Sequence, residues 1–352
     1  MRGPTVRVST IALIVIVGSL LAALFALKDI LVSAHIDRAI QHVSSDGASY
    51  FAQYEKVWDE VPLRERPLVL LTGTPIVLMK IAHGELLLVL IGNLLLMGVT
   101  LRAALNSLPS LGPRLAFLLG ALIFPYFGFG FLSLNKEVYA MCSAIWFGSY
   151  WLSGKKRQLW ISVLLGAAAR YYMGFAILFL AIVFPRRRRP RHWLAAAALL
   201  VISIVAPLVK SRIPGYSSTN VLDGAGTTSL LFAAAVDYHL YGVIYPIKYL
   251  SLIPARIYSL AIGLGRPSDP MEAAVSALTL ALLLPGLFVL IFRRSRAPTA
   301  VVFVLMALLS PIPIMWTDIA HWRYFSYVYF FLLFAAVFYF FRLTIPVAHQ
   351  RR

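Results

Sequence analysis

The sequence predicts an all-α fold: a polytopic membrane protein with about ten transmembrane helices, forming a single integral membrane domain across residues 1–352. Three observations predict it. Hydrophobic residues make up 60% of the chain and charged residues only 13%, with a mean hydropathy of +0.81, more apolar surface than a soluble domain of 352 residues can hide. The apolar residues arrive in runs of about 17 to 21, the reach of a helix across a ~30 Å hydrocarbon core. The basic residues punctuate those runs instead of lining one face, as a positive-inside topology requires.

That third observation disposes of the obvious reading of a net charge of +18, a nucleic-acid partner. Arg2, Arg7, Arg102, Arg114, Lys155 to Arg157, Arg186 to Arg189, Arg191, Arg293, Arg294, Arg296, Arg342, Arg351 and Arg352 all sit in short segments beside apolar runs. No nucleic-acid partner is expected. The single cysteine, Cys142, permits no internal disulfide and no cysteine-based metal site.

Taken in order with the N-terminus inside, Val8–Leu27 exits the membrane. It is longer than a usual signal-peptide core, and Val32-Ser33-Ala34 lies well beyond its end, so an uncleaved anchor is expected. An outside loop over about 28–66 follows, and Pro67–Ala82, interrupted by Thr72-Gly73-Thr74-Pro75, reads as interfacial or re-entrant. Glu85–Leu101 returns, Leu115–Phe131 exits, Asn135-Lys136-Glu137 forms a tight outside turn, and Val138–Leu152 returns to the Lys155 cluster.

The run Leu159–Phe184 has basic clusters at both ends and Arg170 in its middle. One continuous helix would put a cluster on each membrane face and a guanidinium at mid-membrane, at a cost of at least a few kcal/mol. Two shorter helices, Leu159–Ala169 and Tyr172–Phe184, meeting near Arg170 beside a wet or protein-lined cavity, remove both problems. Trp193–Val209 then exits, and a second outside segment covers about 210–272. Ala273–Phe292 returns, Pro298–Ile314 exits, and Tyr324–Phe341 returns to a basic C-terminus, leaving both termini cytoplasmic.

Seven of the 14 acidic residues fall in the first outside loop, where a water-facing site can use them. There His35 to Val61 reads as surface-lying helix, broken or capped at Ser44-Ser45-Asp46-Gly47. In the second outside segment Tyr238, Tyr241, Tyr245 and Tyr249 recur at helical spacing with Tyr258 beyond them, which suits either membrane anchoring or contact with a glycan or lipid carrier.

The chain orders its short polar elements as follows: Asp46-Gly47-Ala48-Ser49-Tyr50 in the first outside loop, Asn135-Lys136-Glu137 at a short outside turn, Arg170-Tyr171-Tyr172 at a broken helix, and His321-Trp322-Arg323-Tyr324 before the last run. This order resembles the GT-C-type multi-pass membrane glycosyltransferases and their polysaccharide-polymerase-like relatives. The resemblance implies a glycosyltransferase or polymerase of the bacterial plasma membrane. Its donor would be a polyprenyl-phosphate-linked sugar and its product an envelope polysaccharide or glycolipid. It also implies Asp46 as general base or substrate ligand, and the Asn-Lys-Glu turn and Arg323-Tyr324 look like recurrent elements of that family.

The chemistry asks for the same residue types. Sugar transfer from a lipid phosphate needs cations to offset the leaving group, available in Lys136, Arg170 and Arg323, with Glu137, Tyr50 and Tyr171 beside them. It needs a group to take the acceptor's proton, for which Asp46 comes first and His321 second. Each has a plainer alternative: an N-cap for Asp46, headgroup snorkelling for Lys136 and Arg323, a buried pair with Glu137 for Arg170, and an ordinary interfacial residue for His321. No cofactor is required; a divalent cation on Asp46 and a second loop carboxylate is compatible with the sequence, whereas the seven histidines lack zinc-motif spacing. Membrane lipid is the expected partner. A lipid-linked oligosaccharide flippase is the alternative function, although matched broken helices in two halves are not evident, and a structural subunit of an envelope-assembly complex is a third.

Overall fold

The structure is a computed structural model in which residues 4–30, 54, 73–186, 190–210, 234–254, 257–258, 261, 269–313, 315 and 326–344 are described. The described residues contain helices and no strand: α1 (Pro4–Ala26), α2 (Thr74–Ile81), α3 (Leu86–Ser107), α4 (Leu111–Ile123), α5 (Pro125–Gly130), α6 (Glu137–Ser153) and α7 (Lys156–Ala169). These continue as α8 (Tyr171–Val183), α9 (His192–Lys210), α10 (Tyr241–Leu252), α11 (Asp269–Phe292), α12 (Pro298–Leu309) and α13 (Val328–Phe340). Each expected apolar run contains a helix. Among the described residues, two stretches, Leu86–Ser107 and Ala273–Phe292, are long and apolar enough on their own to cross a membrane, and six further apolar stretches run to between 10 and 17 residues. Trp160, Leu164, Phe175, Leu200, Leu284 and Ile291 project from the bundle with most of their surface exposed, an exterior suited to lipid contact.

Local chemistry explains where the helices stop. Leu115–Phe131 reads as one helix, yet the chain divides it at Phe124, whose extended backbone precedes Pro125, the conformation that a following proline imposes. The Leu159–Phe184 run divides at Arg170, whose φ of −160° and ψ of 134° end α7 and begin α8. The last two helices are trimmed at the ends joined by their connection, relative to the apolar runs: α12 ends at Leu309, short of Pro311 and Pro313, and α13 begins at Val328.

A three-helix unit built on α6 organises the centre. α6 is buried on nearly every side. It runs parallel to α3, to which it is tied by Tyr139 Oη donating to Asn93 Oδ1 at 2.8 Å and Trp146 Nε1 donating to Thr100 Oγ1 at 2.9 Å. It runs antiparallel to α7 through a reciprocal clasp in which Ser143 Oγ donates to Ser162 O and Ser162 Oγ donates to Ser143 O, each at 2.7 Å. α8 folds back on α7 at glycines: a Cβ on Gly174 would lie 3.3 Å from both the Ala167 N and the Val163 O, and one on Gly166 would lie 3.2 Å from Gly174 N. Such backbone approach is how helices associate where lipid supplies no hydrophobic drive. Aromatic rings from α13 fill the other flank, with Phe334 stacked on Phe303 at 5.0 Å and against Phe117 at 4.5 Å.

The helix directions bring basic segments to one end of the bundle. Arg186, just after α8, donates from Nε to Trp151 O and from Nη2 to Leu152 O, both at 3.0 Å, closing the carbonyl end of α6 beside Lys155. Gly154, left-handed at φ 76°, makes room for that guanidinium, since a Cβ there would overlap Arg186 Nη1. Trp151 also meets Phe303 of α12 at 5.4 Å, and Phe341 packs over Gly112 at the start of α4. Arg293, Arg296 and Arg342 border one basin at this end.

Candidate functional site

The opposite end of α6 holds the candidate site. Asn135 Oδ1 accepts a hydrogen bond from Glu137 N at 3.2 Å, so the Asn135-Lys136-Glu137 turn supplies its own partner for an otherwise orphan N–H. Glu137 occupies the first turn, where a carboxylate favours the helix dipole. Its side chain is 3% exposed, and Oε1 receives Arg170 Nη2 at 2.7 Å. Arg170 is 15% exposed and also donates from Nη1 to Tyr172 Oη at 3.0 Å.

The position of Arg170 follows from helix length. α7 has 14 residues, which lift the hairpin tip about 21 Å from Lys156. That is the level of Glu137 on antiparallel α6. The tip is braced from a third direction by Thr74 Oγ1, which donates to Ala168 O and places α2 against the hairpin. Asn93 adds a fourth, donating from Nδ2 to Ser133 O at 3.5 Å beside the turn while accepting from Tyr139.

One atom of the pair is unmatched. Glu137 Oε2 is buried and has no hydrogen-bond partner among the described residues. A buried carboxylate oxygen without a donor is costly, so the arrangement suits an additional donor at that oxygen.

Of the residues singled out from sequence, Glu137 and Arg170 are brought together, and Lys136 stands half-buried immediately before α6. Tyr171 opens α8, with its side chain outside the described set. Asp46, Tyr50, His321 and Arg323 also lie outside the described residues. Among the described residues, no group of three or more His, Cys, Asp or Glu is placed to hold a metal ion.

The tyrosine repeat does something other than face a membrane surface or a glycan. Tyr241, Tyr245 and Tyr249 are buried, donating to Ile312 O at 2.5 Å, Leu308 O at 2.5 Å and Ala307 O at 3.2 Å. Lys248, 3% exposed on the same helix, donates to Met315 O at 2.8 Å. The Ala307 and Leu308 carbonyls lie in the last turn of α12, which has no further turn to use them, and the Ile312 and Met315 carbonyls lie in the chain beyond it, so α10 acts as a lateral cap. Burial, and then the neighbouring Tyr241, Tyr249 and Tyr327, push the Tyr245 phenol well above its ordinary 10.0, keeping it a neutral donor. Tyr238 and Tyr258, outside this pattern, remain exposed.

Asn93 and Tyr139 are site residues that the sequence does not single out, because each is one ordinary polar residue in an apolar helix, while Tyr172 and Thr74 stand in short elements that the sequence marks without giving either a partner. Neither a protein family, nor a characterised protein, nor a solved structure matches this chain.

Proposed function

We propose that the chain is a membrane transferase, moving a sugar from a polyprenyl-phosphate carrier at the end of the bundle where Glu137 meets Arg170. The observation that carries this reading is the buried Glu137 carboxylate, held through one oxygen by a guanidinium at a helix break, with its second oxygen unmatched. Basic segments gather at the other end of the bundle, so the positive-inside tendency puts Glu137 and Arg170 toward the outer face of a bacterial plasma membrane, with both termini cytoplasmic. About ten helical segments complete that topology, with α7 and α8 meeting inside the core. At about 21 Å from the basic end, Arg170 would stand inside a ~30 Å core, so access from outside requires the wet recess that a buried ion pair also favours.

In this reaction the bond between the sugar's anomeric carbon and the carrier phosphate breaks as the acceptor oxygen bonds that carbon. The acceptor's proton passes to a carboxylate, with Asp46 in this role and His321 as the alternative base. Negative charge returns to the departing polyprenyl phosphate, where Lys136 and Arg323 offset it. Glu137 orients Arg170 and offers Oε2 to a substrate hydroxyl.

The test supplies envelope membranes with labelled lipid-linked sugar. Asp46→Asn is expected to lower transfer by about 100-fold or more, the range for losing a general base. Unchanged transfer at normal protein levels removes Asp46 from the mechanism. Movement of the sugar lipid across sealed vesicles without any covalent change replaces the transferase with a flippase.

A further inference from the structure

At the basic end of the bundle, two surface features join. Arg293 and Arg296, after α11, and Arg342, after α13, border a basin of about 730 Å³. An apolar seam runs from it between α11, α12 and α13, past Ala281, Pro285, Gly286 and Ala336. Tyr339 and Phe340 line both features, so the basin and the seam adjoin. The seam encloses only about 20 Å³, so an acyl chain would lie along its surface and not inside it. Pro285 lacks the N–H that would bond to the Ala281 carbonyl, and Gly286 and the alanines present no bulk, which is how the seam stays open.

Three further observations define what fits. Among the described residues none of these arginines has a carboxylate partner, so the basin is an uncompensated cationic site. Phe292 and Phe340, adjacent to the arginines, are 68% and 69% exposed, which is tolerable where hydrocarbon gives way to headgroups. Arg342 sits at φ 50°, and Leu343 N donates to Phe338 O while Arg342 N donates to Tyr339 O. That is the helix ending in which glycine is the usual left-handed residue, so an arginine is held there against its backbone preference. Such strain points toward function.

We infer that this surface binds an anionic phospholipid, its phosphate among Arg293, Arg296 and Arg342 and one acyl chain along the Ala281–Ala336 seam. The site lies at the end of the bundle remote from Glu137 and does not depend on the transferase reading. Charge complementarity selects an anionic headgroup, and the attached seam selects a lipid over free phosphate.

The experiment uses the purified full-length chain in neutral detergent, with lipid retention read by native mass spectrometry. Dioleoyl phosphatidylglycerol is expected to be retained on the order of tenfold more strongly than dioleoyl phosphatidylcholine. Combined Arg293→Gln, Arg296→Gln and Arg342→Gly should erase that preference. Arg342→Gly alone should weaken it while leaving the lipid-free protein as heat-stable as the original, because glycine relieves the helix ending. Ala281→Phe, at an exposed position in the seam, should weaken retention of both lipids. The matched control Lys155→Gln, Lys156→Gln and Arg157→Gln, exposed at the same end, should retain the preference.

Equal loss in that control would reduce the effect to general surface charge and overturn the inference. So would displacement of the lipid by inorganic phosphate with Ala281→Phe indifferent, or tighter retention of an isoprenyl monophosphate than of phosphatidylglycerol.

Discussion

Removing Arg170 alone should cost the fold at least as much as removing the whole ion pair. The N–O separation of 2.7 Å corresponds to about 6 kcal/mol of attraction at an effective dielectric of ~20. Desolvating the two groups costs several kcal/mol each, so the intact pair contributes little net stability. Arg170→Met deletes the attraction and leaves Glu137, 3% exposed, with neither oxygen matched by the guanidinium, an expected loss of roughly 3–5 kcal/mol. Glu137→Gln leaves Arg170 with its bond to Tyr172 and a neutral acceptor nearby, an expected loss of about 2 kcal/mol. The double variant removes both charges together and should fall short of the summed losses by about 2 kcal/mol or more. Unfolding titrations in mixed detergent micelles of the four proteins close the cycle. Additivity within about 0.5 kcal/mol would show that the two groups do not act on each other, and the positioning of the hairpin tip would need another cause.

The remaining predictions concern the supports of that arrangement. Tyr245→Phe should cost about 1–3 kcal/mol, since it strands Leu308 O in a buried setting, and the thermal midpoint should fall accordingly; no change would mean that this carbonyl finds water. Because Tyr245 holds its proton more tightly when folded, its contribution is full below pH 10.0 and declines as pH rises above it, with the unfolded chain ionising first; Tyr245→Phe should flatten that alkaline slope in pH-dependent melting. Gly174→Val sets branched carbons against Ala167 N and Val163 O, so α8 must move off α7; a cysteine cross-link between the two helices should slow, and an undisturbed rate would refute the close approach.

The helices were largely legible because run length, prolines and isolated charges act locally. Arg170 stands between two half-length apolar runs flanked by basic clusters, and the chain breaks there. The pairing of Arg170 with Glu137 was also within reach, since a guanidinium in an apolar run needs a partner and Glu137 is the acid nearest to it in the sequence. The tyrosine repeat misleads for a physical reason: its spacing shows that Tyr241, Tyr245 and Tyr249 share a helix face, but spacing is silent about what that face meets. The unused carbonyls at the end of α12 decide it.

By itself, the sequence determined the apolar character that suits this chain to lipid, the positions of its helices, and the segregation of its charges into short connecting segments. Those are properties of composition and of neighbours along the chain. Only the tertiary structure decided which polar groups meet, because the partners lie 33 residues apart for Arg170 and Glu137, 46 for Tyr139 and Asn93, and 67 for Lys248 and Met315. Contacts at such separations depend on how glycines, serines and aromatic rings let the helices pack, which no local pattern encodes.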